Sequence, residues 1–289
     1  MQHKHIIVLS GDERNIQVMK QIATKGMHIT AVGFSNDAIE HDYITKQDIS
    51  AVNFSTADAI LLPIAGVDND GNIAVQDSDK KLALTKELLE QTPENCLVFS
   101  GGANQTLRKI VHSANRTLVP IFERDDVAIA NSIPTAEATL QIAMEETKQT
   151  IHGANVTVIG FGRIGTTMAH LFHQVGANVT VAARKNTDIA KIKTLHYQAI
   201  HSAQMKDTLR HSDITINTVP ALLLDKNALE AIAPNSLIID VASNPGGTDF
   251  NIAEQLGIKT IHALALPGKV APITAGNIIA DVLIEQLNS

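Results

Sequence analysis

The stretch VTVIGFGRIG, residues 156–165, decides the fold class of this chain. Four β-branched residues precede three glycines at the spacing G-x-G-x-x-G, and an amphipathic helix is expected to begin at Arg163. Gly160 permits a tight turn, Gly162 lets the backbone approach a pyrophosphate, and Gly165 lets the helix lie close to the strand. The first N–H groups of that helix would face the phosphates. The pattern predicts a Rossmann dinucleotide-binding unit, and the alternative is a tight strand-to-helix turn without a ligand.

The end of the next strand bears on which dinucleotide binds. Arg184 and Lys185 follow Ala183 where an NAD-selective site usually places Asp or Glu for the ribose 2′-hydroxyl. Two cations suit a 2′-phosphate instead, so the sequence favours NADP as cofactor. NAD remains the alternative, in which Arg184 stacks on the adenine without selecting either cofactor.

On both sides of this motif, short β-branched runs alternate with longer helical stretches, which is typical of α/β folds with parallel sheets. In the first half, strands are expected at 5–9, 28–33, 57–64, 96–100 and 116–122, and the stretch 80–90 has helical spacing. In the second half, they are expected at 155–159, 178–182, 214–218, 236–241 and 259–263. We therefore predict two doubly wound parallel-sheet domains, the second a Rossmann domain, with a cleft between them where a substrate could bind.

The domain organisation is predicted as four segments. They are a flavodoxin-like substrate domain over 1–133, an interdomain helix over 134–150, a Rossmann domain over 151–272, and a C-terminal helix over 273–289. Pro134 suits the first position of the interdomain helix, because that position needs no N–H donor. The C-terminal helix is expected to pack back toward the first domain.

Composition excludes several classes of protein. The chain has 289 residues, 44% of them hydrophobic, and a formal charge of −7, which argues against neutralisation of nucleic-acid phosphates. Only 3% of the residues are aromatic and none is Trp, so a base-stacking surface is not expected. A single cysteine, Cys96, rules out an intramolecular disulfide and suits a buried core position better than a nucleophile. No metal-ligand spacing and no membrane-spanning run occur, so we expect a cytoplasmic protein without a metal.

Ligands of open α/β sheets bind outside the carboxyl ends of the strands, so the loops that follow the strands supply the candidate cofactor-binding residues. They are Gly160, Phe161, Gly162, Arg163, Ile164, Gly165, Ala183, Arg184, Lys185, Thr218, Val219, Pro220, Ala242 and Ser243. Each loop alone could be an ordinary turn, and together they indicate a site.

Five strings carry a resemblance over nearly the whole chain. They are FERDDVAIANSIPTAEA (122–138), GFGRIG (160–165), INTVP (216–220), DVASNPGGTDF (240–250) and LPGKVAPITAG (266–276). The glycine motif is common to many dehydrogenases, whereas SNPGGTDF and LPGKVAP are far more specific. With SGDERN at 10–15, the chain resembles the A subunits of dipicolinate synthase from spore-forming bacteria, more weakly over about 185–209. Its two-domain layout is also similar to that of D-2-hydroxyacid and alanine dehydrogenases.

The resemblance implies a function. The protein would make dipicolinate in the mother-cell cytoplasm during sporulation, with a separate B subunit that resembles a flavoprotein. Its substrate would come from the dihydrodipicolinate branch of lysine biosynthesis, and NADP would accept a hydride as the ring becomes aromatic. Related dehydrogenases imply a homo-oligomer. Two alternatives stay open: a nucleotide-binding scaffold without catalysis, and a stand-alone NAD(P)-dependent dehydrogenase of another small carboxylate.

Recognition of a planar dicarboxylate requires cations or N–H groups, and four residues are candidates for it. Arg124 could bind a carboxylate bidentately, or could pair with the acids beside it. Ser132 and Thr135 flank the expected helix start, where they could bind an anion or simply cap the helix. Lys269 is the fourth candidate. Asp126 is the candidate proton acceptor, because an acid at the end of a strand can face the cleft.

Overall fold

The structure is a computed structural model that describes residues 4–34, 39–75 and 81–289. It contains two compact units. The first unit comprises Met1–Ala128 and Ala271–Ser289, and the second unit comprises Ile129–Val270. Among the described residues, no helix is both long and apolar enough to cross a membrane.

The first unit is built on a six-stranded parallel sheet. Its strands and helices in chain order are β1 (His5–Leu9), α1 (Glu13–Ala23), β2 (His28–Val32), β3 (Ile44–Gln47), β4 (Ala59–Leu61), β5 (Asn72–Ala74), β6 (Lys81–Ala83), α2 (Lys86–Glu90), β7 (Leu97–Ser100), α3 (Gln105–Ser113) and β8 (Thr117–Pro120). The strand order β3-β2-β1-β4-β7-β8 is the 3-2-1-4-5-6 pattern of a Rossmann sheet. The predicted parallel sheet is confirmed, and without the edge strand β3 the remaining order β2-β1-β4-β7-β8 reads 2-1-3-4-5, the order of the predicted flavodoxin-like domain.

The central strand β1 is buried on both faces because helices cover both sides of the sheet. Ile6 and Val8 join one apolar cluster, and Ile7 and Leu9 join the other, as the alternation of side chains along a strand requires. The edge strand β3 was not predicted, because its sequence ITKQ has a single large apolar residue.

The stretch 80–90 is not one helix, as its spacing had indicated. Lys80 lies outside the described residues, β6 pairs antiparallel with β5, and α2 occupies only Lys86–Glu90. Local periodicity cannot separate the two states here, because residues 81–83 pair with the preceding strand β5, which lies outside the stretch 80–90.

Helix α4 (Asp125–Glu146) begins nine residues earlier than predicted. Pro134 lies inside it and is buried, so the helix start expected at Pro134 is wrong. Proline in a helix interior removes one hydrogen bond and usually kinks or ends the helix, which is why the sequence indicated a boundary.

The second unit repeats the same architecture. Its elements are β9 (Asn155–Ile159), α5 (Arg163–Gln174), β10 (Asn178–Ala183), α6 (Asn186–Thr194), β11 (Gln198–His201), α7 (Lys206–Leu209), β12 (Ile214–Asn217), α8 (Lys226–Leu229), β13 (Leu237–Asp240), α9 (Phe250–Gln255), β14 (Lys259–His262) and α10 (Leu266–Val270). All strands are parallel in the order β11-β10-β9-β12-β13-β14, which confirms the Rossmann fold. Strand β11 and the four short helices α7 to α10 were not predicted.

The last helix, α11 (Pro272–Asn288), packs against α1 within the first unit. Gly276 makes the close contact possible, because a Cβ there would lie 2.6 Å from Cβ of Gln17 and 2.8 Å from the carbonyl oxygen of Arg14. Gln17 also donates to Asn277 Oδ1 at 2.9 Å. The chain therefore completes the core of its first unit with its last seventeen helical residues.

Candidate functional site

A groove of about 440 Å³ lies in the second unit at the carboxyl ends of β9, β10 and β12. The glycine turn after β9 forms one wall, through residues 160–162. Residues 183–185 after β10 form a second wall, and Val219 after β12 forms a third. This is the position at which an open α/β sheet reverses its strand order and binds ligands.

The three glycines of the turn have different steric roles. Gly160 has φ +101°, and a Cβ there would lie 2.4 Å from Thr218 Oγ1. A Cβ on Gly165 would lie 2.2 Å from the carbonyl oxygen of Gly160, so helix α5 could not approach the turn. A Cβ on Gly162 would meet no protein atom within 4 Å, because it would project into open space. Gly160 and Gly165 therefore shape the turn, whereas Gly162 keeps space clear beside it.

The N-terminus of α5 suits a pyrophosphate. Gly162 is its N-cap residue and has no side chain, so no side chain caps the first N–H groups. Free N–H groups and the positive end of the helix dipole bind phosphate oxygens. The turn thus has the clearance and the donors that a dinucleotide requires.

Two cations stand where β10 ends. Arg184 and Lys185 are exposed, and both line the groove. Neither makes an ion pair or a side-chain hydrogen bond with any residue in the described part of the chain. Their charges are therefore available to an anionic ligand.

A buried carboxylate fixes the loops on the other side of the groove. Asp240, fully buried at the end of β13, accepts hydrogen bonds from Asn217 Nδ2 at 3.0 Å and from the backbone N–H of Ala242 at 3.0 Å. Its second oxygen accepts from the N–H of Gly247 at 2.9 Å and from the hydroxyl of Thr248 at 2.7 Å. Four donors satisfy a carboxylate without a cation, and they hold the loop 241–248 against the end of β12.

The loop after β13 also lies directly on the loop after β12. A Cβ on Gly247 would lie 2.4 Å from the carbonyl oxygen of Val219 and 2.7 Å from that of Ala221. Asn217 completes the contact by donating to the carbonyl oxygen of Val219 at 3.0 Å. Because Val219 and Ala221 line the groove, the Asp240 network determines the position of that wall.

The structure brings seven of the fourteen candidate cofactor residues to the groove: residues 160–162, residues 183–185 and Val219. Of the others, Gly165 and Thr218 support the turn, Ile164 packs on the core, and Ala242 binds Asp240. Arg163, Pro220 and Ser243 are exposed. Cofactor contact by any of the fourteen stays a prediction.

Six groove residues were missed by the sequence reasoning, and two of them, Asp188 and Ser202, are polar. Asp188 lines the groove from the first turn of α6, and Ser202 lines it directly after β11. The alternating run QAIH at 198–201 was the available signal for β11 and hence for Ser202. Asp188 gave no signal, because it does not lie at a strand end.

Arg124 is paired with acids in the first unit. Its Nη2 lies 2.7 Å from Asp126 Oδ2 and 2.7 Å from Glu285 Oε2, and its Nε donates to Asp126 Oδ1 at 3.1 Å. Of the two interpretations left open for Arg124, this geometry favours the ion pair. The hydrogen bonds from Arg124 hold the pKa of Asp126 at about 2, below its ordinary value of 3.8. A carboxylate with so low a pKa is a weak base, which argues against Asp126 as proton acceptor.

We expect the Asp126 carboxyl to titrate with a midpoint near 2 and to shift toward 3.8 in Arg124→Gln, because glutamine lacks the charged guanidinium that stabilises the ionised form. Because the folded pKa is lowered, the pair stabilises the fold above pH 3.8 and loses that effect as the pH falls through 2. NMR titration of the side-chain carboxyl carbons measures both midpoints. Arg108→Gln, which removes a similar exposed arginine paired with Glu123, is the control. A midpoint of Asp126 that stays the same in Arg124→Gln would contradict the assignment.

Ser132 and Thr135 do not lie at a helix start. Ser132 is fully buried, and its hydroxyl donates to the carbonyl oxygen of Ile129 at 2.6 Å and lies 2.6 Å from Thr167 Oγ1. Thr135 donates to the carbonyl oxygen of Asn131 at 2.9 Å. The anion site predicted at this point is wrong, because the helix is already two turns long and both hydroxyls are bound within the protein.

Two further residues have different outcomes. Lys269 is exposed on α10 in the second unit, and its role toward a carboxylate stays a prediction. Cys96 is fully buried, and burial raises the pKa of its thiol to about 11. The thiol therefore stays protonated at neutral pH, which confirms that Cys96 is a core residue.

Known proteins are similar to this chain in both sequence and fold. Residues 5–122 match the family model of the N-terminal domain of the dipicolinate synthase A subunit. The dipicolinate synthase A subunit of Bacillus subtilis (strain 168) is 40% identical over 284 residues, which cover 98% of this chain and 95% of that protein. The chain belongs to the family of dipicolinate synthase A subunits. A crystal structure of another member, from Bacillus halodurans, matches with a TM-score of 0.95 and 43% identity over 99% of this chain and 98% of that one.

The second unit places this family among the dehydrogenases by fold. Residues 129–266 match the model of the NAD binding domain of D-isomer specific 2-hydroxyacid dehydrogenases. An L-alanine dehydrogenase matches with a TM-score of 0.62 over 98% of this chain and 90% of that one, but at 14% identity this likeness shows the fold alone. This chain therefore contains a dehydrogenase-type domain for a nicotinamide dinucleotide.

Proposed function

We propose that this chain is the A subunit of a dipicolinate synthase and oxidises dihydrodipicolinate to dipicolinate with NADP. It acts with a B subunit in the cytoplasm of the mother cell during sporulation. The family of the chain supports this proposal, and so does the dinucleotide groove of the second unit. The observation that carries the NADP assignment is the pair of cations Arg184 and Lys185 on the wall formed after β10, neither of which has an ion-pair partner among the described residues.

The residues of the groove fit the parts of the cofactor. The N-terminus of α5, with Gly162 as N-cap, would bind the pyrophosphate, and Arg184 and Lys185 would bind the 2′-phosphate. The bound nicotinamide supplies hydride acceptance, and aromatisation of the ring makes the oxidation favourable. The chain's own part is to orient the dinucleotide, through the turn after β9 and the wall that Asp240 positions.

Recognition of the substrate requires positive charge or N–H groups for two carboxylates. Lys269 is the candidate in the second unit, because it is exposed and forms no ion pair with the described residues. Arg124 could take part only by exchanging its bonds to Asp126 and Glu285 for bonds to the substrate.

We expect NADPH to bind the purified chain more tightly than NADH, and Arg184→Ala to weaken NADPH binding about tenfold, or by about 1.4 kcal/mol, with little effect on NADH. Titration followed by nicotinamide fluorescence measures both affinities. The control is Arg210→Ala, which removes an exposed arginine of the same unit outside the groove.

The same titration separates the remaining interpretations. Binding of neither nucleotide would overturn the cofactor assignment. If the nucleotides bind, turnover of dihydrodipicolinate with the B subunit supports the synthase. Turnover of another small carboxylate without B would indicate a stand-alone dehydrogenase, and a complex with B that has no redox activity would indicate a scaffold.

A further inference from the structure

The groove wall that carries the two cations also carries an acid. Asp188 lines the groove together with Arg184 and Lys185, although it is three residues beyond Lys185 in the chain. Lys185 is the N-cap of α6, and the backbone N–H of Asp188 donates to the carbonyl oxygen of Lys185 at 3.0 Å. Asp188, in the first turn of α6, therefore lines the same wall of the groove as the residues that end β10.

We infer that Asp188 is a specificity-determining residue, which accepts a hydrogen bond from the ribose 2′-hydroxyl of NAD and weakens binding of the 2′-phosphate of NADP. This inference rests on the proposed function, because it requires a nicotinamide dinucleotide in the groove. It changes the expected selectivity: the site contains determinants for both cofactors, and the balance between them sets the preference.

The charges on this wall support the inference. Asp188 is half-buried, and it makes no ion pair within the ranges that the structure describes. Its charge is therefore not cancelled by a fixed protein partner. A 2′-phosphate, which carries a charge of roughly −1.5 to −2 at neutral pH, would meet two cations and one anion here.

A 2′-hydroxyl would meet the same wall differently. It is neutral, so the carboxylate does not repel it, and an ionised carboxylate is purely an acceptor with room for a hydroxyl donor. Arg184 and Lys185 can donate to the lone pairs of that hydroxyl, but a neutral oxygen gains less from their charge than a phosphate oxygen does. Asp188 thus favours the hydroxyl and opposes the phosphate.

A purely structural role for Asp188 predicts a different result. Acids in the first turn stabilise a helix through its dipole, and no side chain caps α6. If that were its whole role, its removal would lower stability and leave cofactor preference unchanged. Measuring both quantities on one variant separates the two roles.

The experiment compares the dissociation constants of NADPH and NADH in wild type, Asp188→Asn and Asp207→Asn. Asp207, a highly exposed acid in the first turn of α7, lies outside this groove, so its variant removes the same charge from the same unit. We expect Asp188→Asn to tighten NADPH and weaken NADH, so that the ratio of their dissociation constants changes about tenfold, or about 1.4 kcal/mol. Asp207→Asn should change the ratio less than about twofold, because solvent screens a distant charge.

An unchanged ratio in Asp188→Asn, with lower thermal stability, would overturn the inference and leave the proposed function intact. Failure of the wild type to bind either nucleotide would instead overturn the proposed function, and the inference with it. If Asp188→Asn does not fold, Asp188→Ser, which keeps a residue favoured near helix starts, provides the same comparison.

Discussion

Gly162→Ala is expected to weaken dinucleotide binding roughly tenfold to a hundredfold, or by about 1.4–2.8 kcal/mol, without lowering the melting temperature. The added methyl group meets no protein atom within 4 Å, so folding is not disturbed. The backbone at Gly162 has φ −85° and ψ −160°, an extended conformation that alanine also adopts. The methyl group would instead occupy space that the pyrophosphate needs. Nucleotide titration and thermal unfolding of the same sample measure both effects.

Two other glycines provide the comparisons. Gly102, in the first unit, also has open space around its Cβ position, so Gly102→Ala should change neither dinucleotide binding nor stability. Gly165→Ala should lower stability, because its Cβ would lie 2.2 Å from the carbonyl oxygen of Gly160. Unchanged nucleotide affinity in Gly162→Ala would mean that the phosphates do not pass this turn.

Asp240→Ala is expected to lower the free energy of unfolding by about 3–5 kcal/mol, which is large for one residue. The substitution leaves four buried donors without their acceptor, namely Asn217 Nδ2, two backbone N–H groups and the hydroxyl of Thr248. Denaturant unfolding of the purified chain measures the loss.

Variants of different severity test that explanation. Asp240→Asn has the same shape but replaces one acceptor oxygen by a donor, so its effect should be smaller than that of Asp240→Ala. Asp207→Ala removes an exposed acid and should change stability by no more than about 0.5 kcal/mol. Equal effects of Asp240→Ala and Asp207→Ala would show that the buried network does not hold these loops.

Local steric requirements made the central part of the site predictable. Gly165 is required by its approach to the carbonyl oxygen of Gly160 within the same strand–turn–helix motif, and Gly160 is favoured by its own backbone angle, φ +101°. Arg184 and Lys185 directly follow β10 (Asn178–Ala183), so predicting that strand also predicted their position at its carboxyl end. The family resemblance is confirmed by a relative that is 40% identical over 98% of this chain.

Residues whose role depends on distant partners could not be placed. Asp240 lies in a predicted strand, but its four donors come from β12 and from the loop 241–248, and only the folded sheet brings them together. The start of α4 was missed because a proline normally marks a helix boundary. In the structure, Pro134 is instead buried in the interior of the helix.

The sequence by itself determined the Rossmann motif, the cations after β10 and the family, because each depends on residues close together in the chain. Only the tertiary structure decided which side chains share the groove. Parallel pairing of β10 with β11 places Ser202 near Arg184, and the first turn of α6 brings Asp188 to the same wall. Strand order is set by long-range packing and hydrogen bonding, which no short stretch of the chain encodes.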